Sequence, residues 1–253
     1  MPAAVTDAEL ARTAPVVAVS PHLDDAVFGC GQWLALHPGS WVVTVFAGRP
    51  SFSETTSETG SVLTEWDAAG GFGVGDDVVA ARREEDRAAL AILGARPVWL
   101  EFCDSQYGLS PTAQEVAAPL EAAIVASGAT SIAIPLGLFH SDHALTHAAC
   151  LIVMRRRPGP TWLAYEEALY RTLPKLVDMR LRELSDAGIE ARAAFSLRTE
   201  EQKRSAVEEY RSQLRALSTP GRLGHQDAFQ EERFWRLKHV PPRRAGPERP
   251  NRR

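Results

Sequence analysis

The chain has 253 residues, of which 45% are hydrophobic, and its formal net charge at pH 7 is −4. This length and composition are typical of a globular protein with a substantial core, and a single domain is favoured over two small ones. Charges of both signs are mixed along the chain, which argues against a nucleic-acid-binding surface and favours a small-molecule partner.

The cysteines and the hydrophobicity of the N-terminal residues indicate in which cellular compartment the protein is expected. Cys30, Cys103 and Cys150 lie far apart inside apolar segments, which predicts buried thiols rather than a disulfide framework and fits a reducing compartment. The first fifteen residues lack an apolar core of signal-peptide length, and no later segment is long enough to span a membrane. We therefore expect a cytoplasmic protein.

The first part of the chain alternates between strands and helices. Buried apolar runs predict the strands, and amphipathic segments with stop signals predict the helices. In chain order the predicted elements are a strand at 15–19, a helix at 25–37, a strand at 41–46, a helix at 81–93, a strand at 97–102, a helix at 115–127, a strand at 131–136 and a helix at 144–155. Helices between successive strands imply right-handed crossovers and a mostly parallel sheet.

The second part is predicted to extend this sheet. Extended segments at 161–166 and 190–197 precede a long helix from about 200 to 217, and residues 229–237 are predicted as an edge strand. The predicted fold class is therefore α/β, a Rossmann-like three-layer sandwich with a mostly parallel central sheet and helices on both faces.

Three segments lie outside this pattern. Residues 15–240 are predicted to form one domain, with an N-terminal extension at 1–14 and a disordered basic tail at 241–253. Residues 48–77 lack clear periodicity and leave the C-terminal end of the second strand. Because loops of this length in compact domains are usually functional, we expect this segment to be a lid that shapes a substrate site.

Two short clusters of metal-binding side chains each follow a predicted strand, at residues 20–25 and 140–143. His22 and Asp25 are three residues apart, so one helical turn brings the imidazole and the carboxylate to the same side. Together with His143 they provide two nitrogens and one oxygen, which is the ligand set that leaves a zinc ion one open position. The sequence therefore predicts a catalytic site with one Zn²⁺ per chain.

Each cluster also has a structural interpretation. Aspartates at a helix start satisfy free amides, and the second cluster is compatible with a polar turn before a helix. His147 is four residues beyond His143, but no glutamate of the zinc-protease type lies between them, so we assign His147 either a structural role or a role in supporting a metal ligand. Gly29 and Gly31 come too late after the first strand for a dinucleotide-binding turn, and close helix packing is their predicted use.

These residues resemble the PIG-L (LmbE-like) deacetylases, zinc enzymes that remove the acetyl group from N-acetylglucosamine-containing molecules. The family motif Ala-His-Pro-Asp-Asp resembles residues 21–25, and the motif His-x-x-His, with Asp third, resembles residues 140–143. The likeness covers about residues 15–237. It includes Arg82-x-x-Glu85 in the central helix, Asp104 after the third strand, and Tyr210-Arg211-Ser212-Gln213 in the late helix.

The resemblance implies a set of catalytic and metal-binding roles. His22, Asp25 and His143 are the implied zinc ligands, and Asp24 is the implied general base that takes the proton from the attacking water. Leu23 stands where the family often has proline, and Ser141 does so in the second motif. Neither position is a ligand, so we expect altered loop rigidity rather than lost activity.

The resemblance also implies residues that act on the substrate. His140 is expected to stabilise the oxyanion or deliver a proton, and Asp142 is expected to orient it and raise its pKa. Arg82 and Asp104 are expected to face the sugar, with membership of a structural ion pair as the alternative for each.

The predicted function is zinc-dependent hydrolysis of the N-acetyl group of an N-acetylglucosamine-type sugar conjugate, with no nucleic acid and no membrane span involved. The alternatives are an amidase of the same family that cleaves a larger acyl group, a non-catalytic metal- or ligand-binding module, and a Rossmann-like methyltransferase or oxidoreductase. The sequence leaves the acceptor and the oligomeric state open. Candidate stacking surfaces are Trp66, Phe72, Tyr107, Trp162 and Tyr165.

Overall fold

Seven strands form one sheet in the computed structural model, which describes residues 15–50, 63–108 and 110–240. In chain order they are β1 (Val16–Ser20), β2 (Trp41–Thr44), β3 (Arg96–Trp99), β4 (Ser131–Pro135), β5 (Thr161–Tyr165), β6 (Ile189–Leu197) and β7 (Glu232–His239). Across the sheet their order is β3-β2-β1-β4-β5-β7-β6. The first five strands are parallel, and β7 pairs antiparallel with both β5 and β6, so the sheet is mostly parallel as predicted.

Eight α-helices lie in the described part of the chain. They are α1 (Asp25–Ala35), α2 (Glu65–Gly70), α3 (Val78–Ile92), α4 (Ala113–Ser127), α5 (Ser141–Arg156), α6 (Leu176–Asp186), α7 (Glu201–Glu208) and α8 (Arg211–Leu217). Successive side chains of a strand point to opposite faces. Val16 and Ala18 of β1 pack with α1, α3 and α7, and Val17 and Val19 pack with α4, α5 and α6. The three-layer α/β sandwich is confirmed.

The order of the strands reverses at β1. From β1 the chain moves outward through β2 to β3 and then returns to place β4 on the other side of β1, where Val17 is in register with both Trp41 and Ile132. In open α/β sheets, ligands bind in the crevice at the carboxyl ends of the strands where the order reverses. The loops that follow β1 and β4 contain the two predicted clusters.

A buried ion pair bridges a break in helix α1. Cys30 has non-helical dihedral angles (φ −143°, ψ 24°). The Glu232 carboxylate accepts hydrogen bonds from the Gln32 and Trp33 amides, at 2.6 and 3.1 Å, and Lys203 Nζ donates to the Phe28 carbonyl at 2.9 Å. Lys203 and Glu232 lie 2.8 Å apart. Polar backbone groups freed by the break therefore have charged partners.

The glycines of α1 allow close packing, as predicted. A Cβ atom on Gly29 would lie 2.5 Å from the ring of Tyr165, which is fully buried on β5. Because the helix contacts the sheet this closely, a larger residue would push apart α1 and the strand beneath it. This contact places the first turn of α1, with Asp25, above the sheet edge.

Three details differ from the sequence expectations. The segment predicted as a loop at 48–77 contains α2, which begins with a capping box between Thr64 and Asp67. Helix α6 occupies a region where no element is predicted, and the long helix predicted at 200–217 is divided into α7 and α8. The division falls beside Tyr210, whose hydroxyl donates to Asp86 at 2.8 Å.

The remaining predictions on organisation concern the ends of the chain and membrane spans. Residues 1–14, residues 51–62 of the expected lid and the tail at 241–253 lie outside the described residues. Among the residues that are described, no helix combines the length and apolar character needed to cross a membrane.

Candidate active site

Three of the predicted ligands converge between the ends of β1 and β4. His22 Nδ1 lies 3.1 Å from Asp25 Oδ2, and His143 Nε2 lies 3.2 Å from the same oxygen. The two imidazole rings are 5.3 Å apart between centroids. One candidate ligand atom from each residue lies within 4.8 Å of the others. The structure therefore brings His143 to the pair of His22 and Asp25, although it is 118 or more positions away in the sequence.

The chemistry of these donors fits a divalent cation. Two imidazoles and a carboxylate are a common three-residue ligand set for catalytic zinc. His143 is fully buried, and neither of its ring nitrogens has a well-oriented hydrogen bond to the described residues. Burial alone would lower the pKa of His143, but the Asp25 carboxylate raises it to about 9. The negative potential that attracts a proton to this ring also attracts a metal ion.

Asp24 occupies the N-cap position of α1, but its side chain makes no capping hydrogen bond. Its carboxylate is therefore not used as a helix cap, which was the structural interpretation of this residue. Burial and the neighbouring Asp25 charge raise the pKa of Asp24 to about 8, although His22 and His143 lower it in part. A carboxyl group with a pKa near neutrality can exchange a proton at physiological pH.

Asp142 is placed differently from the expectation. Its Oδ2 atom lies 3.1 Å from His22 Nε2 and accepts a 3.1 Å hydrogen bond from the Ser105 amide, whereas His140 Nδ1 is 4.0 Å away. The Asp142 carboxylate thus contacts His22 more closely than His140, and its predicted role as the partner of His140 stays a prediction. The reason is the helix start, because the Asp142 backbone rather than its side chain turns toward His140.

His140 caps helix α5 with its ring. The Asp142 backbone N–H donates to His140 Nδ1 at 3.2 Å. Burial, together with His22 and His143, lowers the pKa of His140; Asp142 raises it as expected, but by less than the other causes lower it. A neutral ring that accepts at Nδ1 carries its hydrogen on Nε2. His140 is about one-third exposed, so this donor stands at the rim of the cluster.

Arg82 lies beside the cluster in a buried ion pair. Its Nη2 atom is 2.9 Å from Asp67 Oδ1, and Asp67 also accepts a 3.0 Å hydrogen bond from the Tyr107 hydroxyl. The ion-pair alternative for Arg82 is therefore present in the structure. Arg82 also lines a cavity beside His22, so its guanidinium borders the site as well.

Asp104 has both a structural contact and a place in the site. Its two carboxylate oxygens accept from the Gln106 amide at 3.0 Å and from Gln106 Nε2 at 2.7 Å. Asp104 Oδ2 also lies 3.9 Å from His22 Nε2. Asp104 and Arg82 both line a small cavity of about 20 Å³ next to His22.

A larger cavity of about 270 Å³ adjoins the small one, and the two share Val79 and Tyr107 in their linings. Asp67, Asp76 and Arg49 add charged groups to the larger cavity. The space beside the cluster is therefore large enough for a ligand and is lined by polar side chains.

Two of the five candidate stacking residues lie in the core instead. Trp162 is 3% exposed and Tyr165 is fully buried, so neither presents a surface to a ligand. Tyr107 lines both cavities. Trp66 donates to Gln213 at 3.0 Å, and Phe72 lies under the Arg82 guanidinium at 5.5 Å.

Sequence reasoning missed Glu167 and Asp67. Glu167 lies 3.4 Å from His143. The only feature of the sequence that could have indicated it is its position just after β5, at the same sheet edge as the two clusters. Asp67 pairs with Arg82 but belongs to a segment without a clear pattern. His147, by contrast, has the structural role that we predicted, because its Nδ1 lies 2.7 Å from the Pro135 carbonyl in the core.

The sheet carries a partly buried His-Asp-His cluster with the Asp24 carboxylate beside it, an arrangement that fits a metal-dependent hydrolase. Residues 17–154, more than half of the chain, match the PIG-L family, described as GlcNAc-PI de-N-acetylase. The chain belongs to this family. The predicted resemblance is thereby confirmed, as is the predicted enzyme class, a hydrolase of N-acetyl amide bonds.

Several solved structures have the same fold. The A40926 pseudoaglycone deacetylase Dbv21 is 24% identical with a TM-score of 0.69, and the match covers 89% of this chain and 98% of that one. A deacetylase of the teicoplanin biosynthesis pathway is 24% identical with a TM-score of 0.71, covering 90% and 99%. Comparison with curated proteins gives no significant match.

The fold is also used for another reaction. The 4-carboxy-2-hydroxymuconate hydratase GalB from Pseudomonas putida KT2440 is 18% identical with a TM-score of 0.52, covering 91% of this chain and 98% of that one. Because one fold supports different chemistries, the reaction has to be derived from the residues of the site.

Proposed function

We propose that this protein uses Zn²⁺ to hydrolyse the N-acetyl group of an N-acetylglucosamine-type sugar conjugate. The observation that carries the proposal is the convergence of His22, Asp25 and His143 beside Asp24. The three donors would hold the ion, and family membership supplies the reaction class. We propose one Zn²⁺ per chain.

The residues around the donors match what amide hydrolysis needs. An amide resists water, so the nucleophile has to lose a proton, the oxyanion has to be stabilised and the amine has to gain a proton. When bound, Zn²⁺ supplies a Lewis acid that polarises the carbonyl group and acidifies water. Asp24 takes the proton from the attacking water, because its carboxylate lies near His22, Asp25 and His143 and is not used as a helix cap.

His140 serves the opposite side of the reaction. Its Nδ1 accepts the Asp142 amide hydrogen, so its Nε2–H is free to donate to the oxygen that gains negative charge. Asp142 contributes indirectly to the reaction, because its carboxylate contacts His22 Nε2 and thereby orients the His22 ring. The proposed acid–base pair thus consists of Asp24 from the β1 loop and His140 from the β4 loop.

The sugar is proposed to bind in the two adjoining cavities. Arg82 offers guanidinium hydrogens and Asp104 offers carboxylate oxygens in the small cavity beside His22, and both groups suit the hydroxyls of a sugar. The larger cavity would take the group attached to the sugar. Two of the similar structures are deacetylases of a pseudoaglycone and of the teicoplanin pathway, which favours a bulky conjugate over a free sugar.

We further propose that the protein works in the cytoplasm and that residues 48–77 shape access to the cavity. All three cysteines are free thiols, with Cys30 and Cys150 buried and Cys103 half-buried, as a reducing compartment allows. Leu63, Gly73 and residues 75–77 line the larger cavity, so the part of this segment that is described already borders the proposed substrate space.

A panel of N-acetylglucosamine conjugates tests the function. Free amine is measured with protein carrying one equivalent of zinc and with chelator-treated protein, and longer N-acyl analogues report the acyl preference. Zinc is added stoichiometrically because a similar structure is described as the zinc-inhibited form of a teicoplanin deacetylase. We expect amine release only with metal. Equal release after His143→Ala, or none from any conjugate, would overturn the proposal.

A further inference from the structure

We propose that Glu167 is a positioning residue that fixes the tautomer and orientation of His143 for metal binding and, with the same carboxylate, holds the backbone leading to His140. The inference rests on the proposed metal-dependent function. Glu167 lies in the loop that follows β5 and belongs to neither of the two sequence motifs.

Glu167 is a buried anion enclosed by backbone amides. Its side chain is 1% exposed. Oε2 accepts from the Leu136 amide at 3.1 Å, and Oε1 accepts from the Gly137 and Leu138 amides at 2.6 and 2.8 Å. Three consecutive N–H groups directed at one carboxylate form an anion-binding concavity, so the negative charge is tolerated in the core.

The same carboxylate faces the rear of His143. Glu167 Oε1 lies 3.4 Å from His143 Nδ1, and His143 Nε2 points in the opposite direction, 3.2 Å from Asp25. A carboxylate at Nδ1 favours the tautomer with hydrogen on Nδ1, which leaves the Nε2 lone pair for the metal. Such partners also make the imidazole a more basic ligand.

His22 has a matching arrangement. Its Nδ1 faces Asp25, and its Nε2 lies 3.1 Å from the Asp142 carboxylate. Each imidazole of the cluster therefore has one nitrogen toward the shared Asp25 and the other toward a separate carboxylate. This repetition on two unrelated elements indicates that Glu167 serves His143 and does not merely close a loop.

The loop before His140 needs the support that Glu167 provides. Gly137 (φ +86°) and Phe139 (φ +59°) both adopt left-handed backbone conformations, which are unfavourable for Phe139 because it has a side chain. A Cβ on Gly137 would lie 2.9 Å from the Cβ of His147. The hydrogen bonds that Glu167 accepts from the backbone amides hold this strained backbone in place, so its carboxylate positions both His143 and His140.

Glu167→Gln tests the role, with Glu166→Gln as the matched control. Glutamine keeps the size of the side chain and an acceptor for the amides but removes the charge at Nδ1. Glu166 is also buried, and its carboxylate accepts from Trp235 Nε1 at 2.9 Å, away from the cluster. We expect the zinc dissociation constant, measured by competition with a chromophoric chelator, to rise 10- to 100-fold for Glu167→Gln and less than threefold for Glu166→Gln.

An unchanged zinc affinity in Glu167→Gln would overturn the inference, even if thermal stability falls, because loop closure alone predicts only the loss of stability. The wild-type protein provides a second measurement if the variant fails to fold. In the zinc-loaded protein, ¹⁵N NMR of the imidazoles should show His143 with hydrogen on Nδ1 and metal on Nε2; the reverse assignment would refute the role of Glu167. Wild-type protein that binds no zinc would instead refute the proposed function.

Discussion

Asp24 and Asp25 are adjacent, but their surroundings shift the pKa values of their carboxyl groups in opposite directions. Burial and the Asp25 charge raise the pKa of Asp24 to about 8. Burial acts on Asp25 as well, yet the charge and hydrogen bonds of His143 and His22 hold its pKa well below the usual range. Two carboxylates with separated pKa values can perform different tasks at one pH, here proton transfer and ligation.

Asp24→Asn separates these tasks. We expect the variant to retain one equivalent of zinc and to lose turnover by a factor on the order of 10² or more, because the amide cannot accept the proton. Turnover is measured as free amine and metal content by elemental analysis. Asp25→Asn is the matched control and should lose metal. Turnover near the wild-type level in Asp24→Asn would exclude Asp24 as the base.

Asp86 supports the site from a buried position, and it makes stability depend on pH. Its two oxygens accept from Trp99 Nε1 at 2.7 Å and from the Tyr210 hydroxyl at 2.8 Å. Burial raises its pKa from 3.8 to about 6, although these hydrogen bonds lower it in part. Between about pH 4 and 6 the folded state holds a proton that the unfolded state has released, so this group lowers stability as pH rises through that window.

Asp86→Asn should remove this contribution. Asparagine can accept from Trp99 and donate to the Tyr210 oxygen, so both contacts survive without the buried charge. We expect the free energy of unfolding of the variant, relative to wild type, to rise by a few kcal/mol between pH 4 and 7. Urea unfolding at a series of pH values measures the difference, which cancels the titration of all other groups. A constant difference across this range would contradict the assignment.

At the residue scale, the sequence predicted which donors lie together but not all of the contacts between them. Spacing alone indicated that His22 and Asp25 share a helix face, because that relation is local. The contact of Asp142 with His22 joins positions 120 apart and depends on how two loops pack, so the sequence pointed to His140 instead. Glu167 was missed for the same reason.

At the scale of elements, the ion pair of Lys203 and Glu232 joins α7 and β7 to the break in α1. Both side chains are 1% exposed, and each contacts backbone groups on a different side of Cys30. Removing one partner leaves the other as an unpaired buried charge, which costs about 3–5 kcal/mol. The pair therefore stabilises the helix that begins with Asp25.

A double-mutant cycle tests this bridge. We expect Lys203→Met and Glu232→Gln each to lower the free energy of unfolding by about 3 kcal/mol or more, since each leaves an unpaired charge or broken backbone contacts. The double variant should lose clearly less than the sum of the two. Urea unfolding measures all four proteins. Additive losses would show that the two charges do not stabilise each other.

Elements with strong periodic patterns were predicted and those fixed by tertiary contacts were not. Four of the five parallel strands, β1, β2, β4 and β5, have apolar runs that are almost entirely buried, whereas β3 at the sheet edge is only partly buried. Helix α2 has six residues, too few for a periodic signal, and its start is set by a capping box. The break between α7 and α8 follows from contacts of Tyr210 and Ser212 with α3, which local sequence does not show.

At the scale of the whole molecule, the strand order creates the site. Residues 20–25 and 140–143 are far apart in sequence, but β1 and β4 are neighbours, so the loops that follow them share one edge of the sheet. Alternating strands and helices predicted a parallel sheet with its chemistry at that edge. The position of β4 next to β1 depends on which face of the sheet each connecting helix covers. The periodicity of hydrophobic residues in the sequence does not determine this.

Because the ligands come from both sides of this strand reversal, a bound metal should stabilise the entire fold. A ligand that binds only the folded state adds about 2.7 kcal/mol to the free energy of unfolding at 100 times its dissociation constant. For a chain of this size, that corresponds to a rise in Tm of roughly 5–10 °C. We expect zinc to produce this rise and a chelator to reverse it, as measured by thermal unfolding.

Two histidines on α5 provide the variants that show where the metal acts. His143→Ala should abolish the zinc-dependent shift. His147→Gln should lower the Tm of the metal-free protein, because His147 contacts the Pro135 carbonyl in the core, but it should keep the shift. Loss of the shift in both variants would mean that it reports general packing of α5. An unchanged shift in His143→Ala would place the ion elsewhere, since this imidazole is the ligand that joins the β4 side of the sheet to Asp25.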